Sequence, residues 1–86
     1  MDVQQFLHEY NRGDRNFSGV RLHRVDLRGA NLSGIDLRGA DLSQIALDGA
    51  DLSRANLYNS ALQGVFLEGT NLCEVILPNG QIHPCR

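Results

Sequence analysis

The residues that could do chemistry in this chain are few. They are His8, His23 and His83, the cysteines Cys73 and Cys85, and serines recurring at 33, 43 and 53. A catalytic Ser needs a strand–turn–helix elbow, and a phosphate loop needs Gly-rich chain between a strand and a helix. Neither pattern occurs, and the serines share one position of a repeat that accounts for them. The histidines are scattered, and Cys73 and Cys85 match no metal-ligand spacing. Two lone cysteines with no basic, apolar leader at the N-terminus read as reduced thiols of a cytoplasmic protein. Arg12-Gly13-Asp14 reads as a helix-terminating turn, and Asn16-Phe17-Ser18 and Asn31-Leu32-Ser33 are glycosylation sequons on paper only. The expectation is no enzyme, no cofactor, no metal and no small-molecule substrate.

What must position every side chain is a period of five. A large apolar residue occupies all thirteen positions from Phe17 to Leu77: Phe17, then Leu at 22, 27, 32 and onward. A helix would rotate each step by 140° and spread the series round its axis. A strand would send alternate Leu residues to opposite faces. A chain that bends once per repeat keeps them all inside. Each Leu and the residue two before it then share an inward face, and the other three form a corner. Such a coil buries its face on the next one, which makes a solenoid.

The inward residues before each Leu set the number of sides. Positions 30, 40, 50, 60 and 70 hold Ala, Ala, Ala, Ser and Thr, while 25, 35, 45, 65 and 75 hold Val, Ile, Ile, Val and Val. Only Ala55 breaks the alternation. Three sides would stack bulky on small. Four sides stack like on like, with Val25, Ile45 and Val65 on one wall and Ala30, Ala50 and Thr70 on the next. The spacing therefore predicts four sides and twenty residues per coil. In that register Asn31, Asp51 and Asn71 form a column, and so do Gly29, Gly49 and Gly69. The first column is expected to bond nearby backbone rather than a metal, and the second to form tight corners.

The tandem Ala-[Asp/Asn]-Leu pattern, as in Ala30-Asn31-Leu32, Ala40-Asp41-Leu42, Ala50-Asp51-Leu52 and Ala55-Asn56-Leu57, resembles the pentapeptide-repeat family. The resemblance covers about three quarters of the chain. It implies an all-β solenoid, a right-handed quadrilateral β-helix, with a short N-terminal capping α-helix similar to that of short cyanobacterial members. Arg21, Ala46, Ala61, Phe66 and Ile76 depart from the motif at the Asp/Asn position, which faces outward. Some members resemble DNA in shape and charge and bind DNA gyrase, so a DNA-mimic inhibitor is the alternative function the resemblance implies.

The chain divides into an N-terminal cap (1–15), about three coils of β-helix (16–79) and a C-terminal flap (80–86). Residues 3 to about 12 read as a helix. Asp2 is the N-cap with Gln5 as its capping-box partner, Val3, Phe6, Leu7 and Tyr10 form one apolar stripe, and Gly13 is the stop. The helix is expected to plug the first coil. At the other end Pro78 stops the ladder and Asn79-Gly80 turns the flap back over the last edge.

Net charge is −2, with eight Arg and no Lys, so neither nucleic acid nor an anionic membrane is expected as a partner. No apolar run approaches the ~20 residues of a membrane span. Residues 17 to 79 hold five Arg against seven acidic residues. A DNA duplex would carry about nine charges over a ~15 Å rod, which weighs against mimicry. The leading expectation is a non-catalytic module that binds an unidentified protein. Arg38, Arg54, Tyr58 and Phe66 are candidate anchors. Phe66 and Ile76, both outward near the C-terminal end, suggest a contact surface there and a homodimer through that end. A structural unit stacking end to end is the third reading.

Overall fold

In the computed structural model, residues 1–22 and 24–85 are described, so His23 and the flap's last residue, Arg86, lie outside the described residues. The ladder is read from its pairings. Parallel bridges join Asn16 to Asp36, Arg21 to Asp41, Asp26 to Ala46 and Asn31 to Asp51, then Asp36 to Asn56 and so on to Asn56 with Ile76. Every partner lies twenty residues on. The chain thus returns to the same place after four repeats, and we number its walls by these columns: first (16/36/56/76), second (21/41/61), third (26/46/66), fourth (31/51/71).

Each wall is only one bridge long, because two of every five residues are spent turning. Leu27 accepts from Ala30 N–H at 3.1 Å and Leu32 from Ile35 N–H at 3.2 Å. The second turn residue takes positive φ, as at Gly29 (73°) and Gly34 (69°). That is the type II geometry which favours glycine. Arg24, Gln44, Arg54, Asn59 and Glu74 adopt it without being glycine, at φ 60–63°. The corner is two residues rather than the three expected. The residue between the two inward ones stays in the wall and carries the ladder, donating and accepting toward the preceding coil, as Asp41 N–H does to Val20 (2.8 Å).

The interior is filled by the expected residues. Leu22, Leu32, Leu42, Leu47 and Leu52 are buried, with Ile35 and Ile45 beside them. Thr70, the one threonine among the small inward residues, donates its hydroxyl to Leu47 O at 2.7 Å. Ser60, the equivalent serine, is buried with its Oγ unpartnered among the described residues.

Helix α1 (Val3–Asn11) covers the first coil. Phe6 and Tyr10 are buried, and the Phe6 ring meets Phe17 edge-on at 4.8 Å. Tyr10 donates its hydroxyl to Ser33 O at 2.7 Å, and the Arg15 guanidinium stacks 3.8 Å above its ring. Asp2 caps the helix by accepting from Gln4 N–H at 2.8 Å. The capping box is not closed, because the Gln5 amide turns outward to Glu9 at 3.2 Å. The stop is a Schellman motif: Asp14 N–H donates to Glu9 O and Gly13 N–H to Tyr10 O, with Gly13 at φ 108°.

At the other end the chain turns at Gly80 and runs back along the first wall. Ile82 pairs antiparallel with Ile76, Leu77 N–H donates to Gln81 O at 2.7 Å, and His83 N–H to Val75 O at 2.8 Å. This return brings Cys85 beside Cys73, and the two form a disulfide. The reading of both as free thiols is corrected here. A twelve-residue separation says nothing until the reversal at Gly80 closes it. By loop entropy the bond is worth about 3 kcal/mol. Reduction with dithiothreitol is expected to lower the denaturation midpoint to that of Cys85→Ser, and equal midpoints for oxidised and reduced protein would contradict this.

Candidate interaction surface

The outward Asp and Asn side chains are committed to the chain's own turns. Oδ1 of Asn31, Asp41, Asp51, Asn56 and Asn71 each accepts the N–H two residues on, at 2.9–3.2 Å. Asn16 and Asn31 of the paper sequons are among those that do so. The Asn31/Asp51/Asn71 column is therefore turn chemistry. Among the described residues no cluster of three potential metal ligands forms.

Two carboxylates do more. Arg28 closes on Asp26 through Nε and Nη2 at 2.9 and 2.8 Å, and Arg38 closes on Asp36 in the same way. The Arg28 side chain and then its amide hold the Asp26 carboxyl down at about 2, far below its ordinary range. The Arg38 side chain likewise lowers Asp36. Hydrogen bonds from Ser53 lower Asp51. These carboxylates stay charged in mild acid, and two of the seven acidic residues of the rod are directly neutralised by arginine.

The candidate anchors divide between opposite walls. Arg38 and Tyr58 stand one above the other at the corner leaving the first wall, where Gly39 N–H donates to Tyr58 O at 2.9 Å. Arg54 holds the corner entering the same wall, at φ 61°. Ile76 lies in the first-wall ladder and is half-covered by its pairing with Ile82. Tyr58 is 47% exposed, its ring edge leaning on the flap turn 3.6 Å from where a Gly80 Cβ would be.

Phe66 is 60% exposed on the third wall, below Ala46 and Asp26. It closes a shallow open groove of ≈ 380 Å³ with Arg24, Arg28, Gln44 and Asp48. Phe66 and Ile76 are ten residues apart, and ten residues is half a coil. The expectation that they lie close together therefore fails, and a single patch containing both does not form. Ile82, 65% exposed, went unnoticed in the sequence because its strand pairing comes only from the flap's return.

Stacked twenty-residue coils with a polar outside and a solid apolar inside define a repeat protein. The model for pentapeptide repeats matches residues 16–54 and 50–82 in eight copies, and the chain belongs to that family. It is similar to two solved pentapeptide repeat proteins of the cyanobacterium Nostoc PCC 7120. One is alr5209, at 28% identity over 87% of this chain and 74% of the other, with a TM-score of 0.42. The second is HetL, involved in heterocyst differentiation regulation, at 26% identity over 79% of this chain and 51% of the other, with a TM-score of 0.34. Comparison with curated proteins finds no match. Among the described residues no helix is long and apolar enough to cross a membrane.

Proposed function

We propose that this pentapeptide repeat protein is a non-catalytic interaction module, its coils forming a right-handed quadrilateral β-helix that presents the first wall to a protein partner. The observation that supports this is the Arg38–Tyr58 column with Arg54 at the neighbouring corner. Arg and Tyr are the types that dominate binding hot spots, and a ladder bonded from both sides holds them with little ordering entropy left to lose. The arginine pairing of Asp26 and Asp36 weighs against DNA mimicry, since it leaves the rod short of the charge density of a duplex. The cytoplasmic placement rested partly on free thiols, and the Cys73–Cys85 bond removes that support.

The test is cross-linking capture with the whole chain as bait, beside Arg38→Glu, Tyr58→Ala and Phe66→Asp. One protein captured by the wild type and by Phe66→Asp, and lost with both first-wall variants, supports the reading. Capture that ignores the first-wall variants overturns it, and recovery of gyrase subunits would reinstate mimicry.

A further inference from the structure

The Cys73–Cys85 bond lies where a reagent can reach it. Cys85 is exposed and Cys73 half-buried. An open hollow of ≈ 360 Å³ borders the pair, lined also by Thr70, Asn71, Leu72, His83 and Pro84. A disulfide sheltered in a core resists reduction, whereas one at the surface is open to thiolate attack.

Apart from this bond the flap is lightly held. Between residues 81–85 and the last coil, three backbone bonds form among the described residues. Leu77 N–H donates to Gln81 O at 2.7 Å, His83 N–H to Val75 O at 2.8 Å and Glu74 N–H to His83 O at 3.0 Å. The side chains add little, because Ile82 and Pro84 both face solvent. Ordering such a segment costs more than its few bonds return, and the link to Cys73 offsets the difference by fixing the far end.

The coil that carries Cys73 is held far more firmly. Leu52, Arg54 and Leu57 N–H donate to Asn71, Cys73 and Ile76 O at 2.8–2.9 Å, and Asn71 and Ile76 N–H donate back to Ala50 and Ala55 O at 2.9 Å. Cys73 therefore keeps its place when the flap leaves. The flap's cover is also local. Val75, whose carbonyl it bonds, is wholly buried, while Val65, the matching residue half a coil away, is only partly so.

We propose that Cys73–Cys85 is a thiol–disulfide exchange site, and that its reduction by a dithiol releases the flap from a solenoid that stays folded. One thiolate of the reductant attacks Cys85 Sγ, the more accessible sulfur, and forms a mixed disulfide. Cys73 Sγ leaves with the electron pair and takes a proton from water. The reductant's second thiolate then displaces Cys85 Sγ, which is protonated in turn. The reductant ends as a disulfide and the protein as two thiols, a transfer of two electrons. Release bares Val75 and leaves the Glu74 and Leu77 N–H groups to water. The inference is independent of any partner on the first wall.

The full-length oxidised chain is to be treated with dithiothreitol, without denaturant, and followed by amide exchange beside Cys85→Ser. Both thiols of the wild type should become reactive to iodoacetamide. The Glu74, Leu77 and His83 amides should then exchange at least about tenfold faster, while those of Leu42, Leu47 and Leu52 are unchanged. Cys85→Ser should show the fast exchange with and without the reductant, and oxidised glutathione should restore slow exchange to the wild type alone. A bond that survives the reductant in the folded protein, flap amides that stay slow once both thiols are free, or protection lost at Leu42 together with the flap would overturn the proposal.

Discussion

Phe6→Ala is expected to cost about 4 kcal/mol and to detach α1 from the first coil, the largest single effect in this molecule. Phe6 is wholly buried, and its edge-on contact with Phe17 joins the helix to the solenoid. A nine-residue helix has no stability of its own in water, so once the anchor is gone it melts. Far-ultraviolet circular dichroism should lose its helical component before the β signal, and the denaturant midpoint should fall. Melting α1 also uncovers the apolar side chains of the first coil, although the Phe17, Leu22 and Leu27 N–H groups stay bonded to Asp36, Asp41 and Ala46 O in the coil below. Light scattering should then show association, driven by the uncovered apolar surface, that the wild type does not show at the same concentration. A variant that keeps its helical signal and its midpoint would mean that Tyr10, through its bond to Ser33 and its stack under Arg15, anchors the helix by itself.

Leu42→Ala is expected to cost about 3–4 kcal/mol, and Leu62→Ala, one coil below in the same column, less than about half of that. Leu42 has Leu22 above it and Leu62 beneath, and deletion leaves a cavity closed on both sides. Leu62 has a neighbour on one side only and is already partly in water. In a stack held by nearest-neighbour contacts, losing an interior residue damages two interfaces and losing a terminal one damages a single interface. Urea denaturation in dilute protein measures both. Equal losses would mean that the last coil is covered as well as the middle one.

The five-residue register was legible because a stacked coil demands the same thing of every repeat. The inward positions show themselves by size, and the alternation of Val or Ile with Ala separates four sides from three. The helix was legible for the opposite reason, as a single stripe of Val3, Phe6, Leu7 and Tyr10 with its own cap and stop. Turn bonds from Asn31, Asp51 and Asn71 follow from side chains short enough to reach backbone two residues away. All of these are local or periodic constraints.

The candidate surface was less legible. Grouping Phe66 with Ile76 used closeness in sequence, but in a four-sided coil ten residues is the way across. Gln5 had two partners within reach, the Asp2 N–H and the Glu9 carboxylate, and only the packed helix shows that it takes Glu9.

From the sequence alone come the five-residue repeat, the four-sided stack, the identity of the inward residues and the capped N-terminus, since each is written in residue size at fixed spacing. The tertiary structure alone decides three other things. It places Phe66 on a different wall from Tyr58 and Ile76. It closes Cys73 on Cys85. It leaves the Leu62, Leu67 and Leu72 N–H groups without a backbone partner among the described residues. Each depends on where the chain is after it turns, and a repeat that reads alike in every coil carries no mark of which coil is the last to be covered.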